Sequence, residues 1–368
     1  MRHPALGLGV FAAMTFFSSA PRAQTLKDAA ATRGLFIGSA VDDRALSGDV
    51  DYARVLAEQF NMLTPENAMK FDAVHPRPGA TASSYDFSRA DRVMEFAAAH
   101  RMSVRGHTLV WHRIFPQWAA ALPPERLKEL LKNHLQTVAG HFAGRVYSWD
   151  VVNEAVDDDG RLRTGAWANA ETQYIADSFR WAHEADPKAK LFYNDYINTY
   201  GRRGLMAEKT EAILRLLRDL KAQGVPIDGV GLQMHLASAR DYGDMRGFIH
   251  LFAGLGLEVH ITELDVSLVN VDAALAREFG FKPFPRDLRD QAALYAQGVS
   301  ACVSEPACKA VVFWGFTDKH DWLPIFLPAM LDERYAPKPA FEAVRKALLD
   351  ERKVGSLAAD LAEGLASH

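Results

Sequence analysis

From about residue 30 onward, short apolar runs rich in β-branched residues alternate with stretches whose apolar side chains recur at helical spacing. The runs 35–40, 60–65, 103–110, 146–152, 190–195, 227–233, 258–264 and 310–316 read as eight strands. Between them, Leu127, Leu131, Leu135 and Val138 share one face of a helix that starts at Pro123-Pro124. Ile213, Leu216, Leu217 and Leu220 share one face of another, which stops at Gly224, with Pro226 barring its continuation. Eight strand–helix units predict an α/β chain folded as a single (β/α)₈ TIM barrel, placed at residues 24–350. No internal repeat, Ser/Thr/Pro-rich linker or second periodic domain interrupts it, and residues 351–368 are an Ala/Leu-rich tail of unreadable role.

Composition adds limits. With 49% apolar residues, 24% charged residues and a formal net charge of −4 over 368 residues, the chain has the make-up of an ordinary globular protein. No basic block or aromatic–basic stripe points to nucleic acid. Residues 1–23 differ: Arg2 and His3 precede an apolar run from Ala5 to Phe17, then small residues through Ala23. That is the layout of a signal peptide and predicts a secreted or periplasmic protein. Its apolar run is too short to span a bilayer comfortably, and no later run is longer. Cys302 and Cys308 flank Val-Ser-Glu-Pro-Ala; in an oxidising compartment a local disulfide is the expected state, with two buried thiols as the alternative. No second Cys pair and no His-Glu-x-x-His run suggests zinc.

Two glutamates concentrate the candidate chemistry. Glu154 closes the run Trp149-Asp150-Val151-Val152-Asn153, and Glu263 follows His260-Ile261-Thr262 and precedes Leu264-Asp265. Both stand at the ends of buried strands, where a parallel barrel places its reactive groups. A carboxyl pair about 5 Å apart is what retaining glycoside hydrolysis uses. Either Glu alone reads more readily as a cap or an ion-pair partner at a strand-to-helix turn. Two of them, one after Asn and one two residues before Asp, with indoles and imidazoles at other strand ends, favour catalysis.

The other strand ends carry Glu66-Asn67-Ala68-Met69-Lys70, Arg105-Gly106-His107-Thr108-Leu109-Val110-Trp111-His112, Gln233-Met234-His235 and Trp314-Gly315-Phe316-Thr317-Asp318-Lys319, with Trp322 beyond. Planar indoles stack on the apolar face of a sugar, and amides, imidazoles and ammonium groups bond its hydroxyls. Together, and in this order, these runs resemble glycoside hydrolase family 10, the retaining endo-β-1,4-xylanases, from about residue 34 to Ala347. The resemblance implies Glu154 as acid/base and Glu263 as nucleophile. It implies that Asn153 donates to the 2-hydroxyl of the reacting sugar, and that His235 and Asp265 hold Glu263. Glu66, Asn67, Lys70, His107 and Trp111 would form the pocket for the non-reducing-side sugars, Trp314 and Trp322 its walls, and Gln233 a further substrate-binding residue. Asn194-Asp195 also matches a family run, but a strand-end turn explains it equally well. Asp157-Asp158-Asp159-Gly160 lacks the spacing of a calcium loop and reads as a solvated turn.

Three positions depart from the family pattern. Ile114 stands where Gln is usual, which removes a polar contact near the second glycone sugar. Phe71 replaces a common Trp, and Asp321 a common Ser. The expectation is a monomeric enzyme acting on xylan and xylo-oligosaccharides, with no cofactor, metal, nucleic acid or membrane partner. A retaining β-1,4-glucanase and a non-catalytic sugar-binding barrel remain the alternatives.

Overall fold

The computed structural model describes residues 24–170, 173–197, 205–236, 245–268 and 287–350. The expected leader, 1–23, and the tail, 351–368, lie outside them. Eight strands run parallel: β1 (Phe36–Val41), β2 (Met62–Pro65), β3 (Ser103–Trp111), β4 (Ser148–Asn153), β5 (Lys190–Asp195), β6 (Gly229–Leu232), β7 (Glu258–Val266) and β8 (Cys308–Phe313). Each pairs with the next in chain order, and β8 pairs with β1, so the sheet closes into the expected barrel with helices between its strands. The helix Pro124–His141 buries Leu127, Leu131, Leu135 and Val138 against the sheet, as their spacing requires. Gly224 takes φ +65°, the left-handed stop that follows the helix Leu205–Ala222.

β5 matches the expectation at both ends, and the other strands differ from it by up to three residues at an end, most clearly at β6 and β8. Leu232 pairs with Ile261, but His235 pairs with Asp265, so β7 carries one extra residue across this interval. Met234 absorbs the break at φ +59°. Gln233 and His235 thereby reach different carboxylates, described below. β8 begins at Cys308, and the Cys302–Cys308 disulfide ties it to the helix Leu288–Val303, with S–S 2.02 Å.

The barrel interior is not purely apolar. At one end Glu258 meets Lys190 and accepts from Tyr147 Oη at 3.1 Å. His260 Nε2 lies 2.9 Å from Glu258 Oε1, and Arg105 Nε donates to His260 Nδ1 at 3.1 Å. Arg105 then forks onto Asp150 at 2.6 and 3.0 Å, and Asp150 Oδ2 lies 3.0 Å from His107 Nδ1 at the other end. Burial, helped by the adjacent Arg105 guanidinium, outweighs the pull of Glu258 and Asp150 and holds His260 down to about 4, so it is neutral, accepting from Arg105 and donating to Glu258. Each charge in this column has a partner, as burial demands.

Candidate active site

One open cleft lies at the C-terminal ends of the strands. It is lined by both glutamates and by every other candidate site residue named above: Glu66, Asn67, Lys70, His107, Trp111, Asn153, Gln233, His235, Asp265, Trp314 and Trp322.

Glu263, on β7, is held at both oxygens. Asn194 Nδ2 donates to Oε1 at 2.7 Å, and His235 Nε2 donates to Oε2 at 3.1 Å. Behind His235, Nδ1 donates to Asp265 Oδ2 at 2.9 Å, which also accepts from Trp322 Nε1 at 2.9 Å. Burial opposes the charge on His235, but Asp265 and then Glu263 overcome it and push the imidazole up to about 10. Burial likewise works against an ionised Glu263; the hydrogen bond from His235 and the nearby His107 outweigh it and hold its pKa below the ordinary carboxylate range. Asn194 can cross β6 because residue 231 is glycine: a Cβ there would stand 2.1 Å from Asn194 Oδ1. The same amide oxygen accepts from Thr262 Oγ1 at 2.7 Å, which fixes its orientation.

Glu154 follows β4 directly and has φ +56°, in the left-handed region. Its Oε1 accepts from Gln233 Nε2 at 3.1 Å, while its buried Oε2 has no hydrogen-bond partner. Arg113 Nε approaches Oε2 only to 4.0 Å. The Asn153 amide lies 2.8 Å from Asn194 Nδ2 and 3.3 Å from Trp111 Nε1, so the two carboxylates are linked through neighbouring amides.

Further along the cleft, Asn67 donates to Glu66 at 2.9 Å and accepts from Lys70 Nζ at 2.9 Å, whose ammonium sits 5.0 Å above the Trp111 ring. The two expected walls differ. Trp322 is 44% exposed, whereas Trp314 is 6% exposed and is edge-on to His107 and His235. Trp314 therefore presents little surface to a sugar. Phe71 is core, stacked on His134 at 3.7 Å. Ile114, which the resemblance sets beside the second glycone sugar, is half-buried and packs on the hydrophobic core; Arg113 before it lines the cleft instead. The acidic run is a turn in which Asp157 accepts from the backbone of Asp159 and Arg161. Among the described residues, no three His, Cys, Asp or Glu side chains converge as a metal site.

Sequence reasoning undervalued Asn194, which touches Glu263, and missed Arg113 and Tyr196, both of which line the cleft. The pairing of Asn194 with Asp195 at a strand end was the available signal.

Residues 25–347 match the family model of Glycosyl hydrolase family 10. The chain belongs to that family. It is 38% identical over 314 residues to endo-1,4-beta-xylanase B of Thermotoga neapolitana, covering 82% of this chain and 84% of the relative. It is 37% identical to exoglucanase XynX of Acetivibrio thermocellus, covering 84% of this chain but 28% of that longer protein. Among solved structures, xylanase 10B of Thermotoga petrophila RKU-1, in complex with xylobiose, superposes with a TM-score of 0.77 at 38% identity, over 90% of this chain and 98% of that one. The family-10 barrel thus extends over nearly the whole described chain.

Proposed function

We propose that this family-10 protein is an exported endo-1,4-β-xylanase that cleaves internal xylosidic bonds with retention, through a covalent glycosyl-enzyme. The observation that carries the reading is the unequal treatment of two carboxylates in one cleft. Glu263 has donors on both oxygens and a cationic His235 beside it, all of which favour the ionised nucleophile. Glu154 has one bonded oxygen and one free oxygen, which leaves a position for a proton directed at the leaving group. In this reading Glu263 attacks the anomeric carbon while Glu154 protonates the departing oxygen. Glu154 then takes a proton from the water that opens the glycosyl-enzyme. Asn153 would donate to the 2-hydroxyl, a bond that strengthens as charge develops at the ring. Export is supported by the N-terminal layout and by the disulfide.

Leaving-group chemistry tests the two roles. Glu154→Ala should form a glycosyl-enzyme from an activated aryl xylobioside and then accumulate it, and azide should restore turnover to a β-configured glycosyl azide. Azide rescue of Glu263→Ala to an α-configured product, with no gain for Glu154→Ala, would reverse the roles. The exoglucanase name of one relative favours a second reading, action on β-1,4-glucan. Reducing-sugar release from xylan and from carboxymethylcellulose, with and without chelator, separates the two.

A further inference from the structure

Glu154 occupies a backbone conformation that a non-glycine residue leaves readily. A left-handed φ at such a residue is strained and persists only where the surroundings over-determine it. Three contacts do so here. The N–H of Glu154 donates to the Asn194 carbonyl at 2.9 Å. The next N–H, of Ala155, donates to Tyr193 Oη at 3.1 Å. The carbonyl of Glu154 itself accepts from Arg163 Nε at 3.0 Å.

The Arg163 contact is anchored on its far side. Its Nη2 donates to Tyr196 Oη at 2.8 Å, and Tyr196 donates onward to Asp158 Oδ1 at 2.6 Å. The Arg163 backbone N–H returns to the carbonyl of Ala155 at 2.8 Å, so the segment carrying the arginine is pinned to the segment it holds. Beneath the Tyr196 ring, at 3.2 Å from its centroid, lies the ammonium of Lys209, fully buried and 2.9 Å from Asp195 Oδ1. Asp195 also accepts from Tyr193, the residue that holds Ala155.

We propose that Arg163 is a positioning residue for the general acid: by holding the carbonyl of Glu154 it maintains the left-handed backbone that aims the carboxyl at the leaving oxygen. Arg163 is not in the lining of the cleft and makes its contact through the backbone, so its removal should impair the steps in which Glu154 gives or takes a proton and spare the attack by Glu263. A misplacement of about 1 Å can lower a rate on the order of 100-fold.

The test compares kcat/KM, which reports formation of the glycosyl-enzyme alone, on two substrates. Xylohexaose has a sugar leaving group that requires protonation, and 2,4-dinitrophenyl β-xylobioside has a phenolate that does not. Arg163→Met should lose about 10- to 100-fold on xylohexaose and less than about threefold on the aryl glycoside. Arg163→Lys, which keeps charge and stem, should show the same split with a smaller loss, and it serves if the Met variant does not fold. Equal losses on both substrates, or no loss on either, in the folded variant would overturn the proposal. The inference rests on Glu154 being the acid, so Glu154→Ala is measured in parallel. If Glu154→Ala lacks the split, the assignment of Glu154 fails; if it shows the split and the Arg163 variants do not, the role of Arg163 fails alone.

Discussion

Asp265→Asn removes one negative charge while leaving an oxygen that can still accept from Trp322 Nε1. The rise of His235 from 6.5 to about 10 corresponds to about 5 kcal/mol at roughly 1.4 kcal/mol per pH unit. Asp265 is the largest favourable contributor, with Glu263 supplying the rest. Removing that charge leaves burial opposed by Glu263 alone, so the His235 pKa in the variant falls from about 10 back toward its ordinary value. On an aryl xylobioside whose phenolate needs no proton, the state of Glu154 does not limit glycosylation. The native enzyme should therefore keep kcat/KM flat to about pH 9, and Asp265→Asn should gain a new alkaline limb below that pH. Stability provides a second readout. Because folding raises the His235 pKa, its contribution is complete below about pH 6.5 and is lost as pH climbs toward 10. The native protein should thus lose more Tm between pH 6.5 and 10 than the variant does. A variant with near-native kcat/KM at pH 6 and no new limb below about pH 9 would show that Asp265 does not hold the His235 proton.

Trp322→Ala should raise KM for xylo-oligosaccharides on the order of tenfold while lowering Tm by only a few degrees, because a side chain 44% exposed leaves no sealed cavity; a collapse of Tm with unchanged KM would make it core. Titration of the denatured, unreduced protein should find no free thiol, and the Cys302→Ala/Cys308→Ala double variant should lose about 2 kcal/mol with unchanged turnover on xylan. Two reactive thiols in the unreduced protein would refute the first half of that expectation.

The barrel was legible because its strands are buried on both faces and so read as apolar runs closed by polar residues, and Glu154 and Glu263 stand out at the ends of two such runs. Contacts between distant strands were not. Arg105 and His260 are 155 positions apart, and each alone is a polar interruption in a strand with no indication of its partner. Asn194 looked like a turn residue because its role depends on the missing side chain at Gly231, a relation between adjacent strands that no local pattern records. Ile114 failed in the opposite sense: position within a motif suggested the cleft, while an aliphatic side chain next to Phe115 found more contact in the core. Arg163 carries no motif at all, since its contact is to a backbone oxygen.

The polar column inside the barrel bears on how the chain can be divided. Arg105 comes from β3, Asp150 from β4, Lys190 from β5, and both His260 and Glu258 from β7. A half-barrel ending after β4 would keep the Arg105–Asp150 fork but lose the imidazole that accepts from Arg105, and its complement would retain Lys190, Glu258 and His260 without the guanidinium above them. Neither piece could close its interior without stranding a polar group, a penalty of several kcal/mol for each buried ion. Separately expressed halves should remain open or soluble only as mixtures, and secondary structure, ion column and cleft should return together when the two are combined.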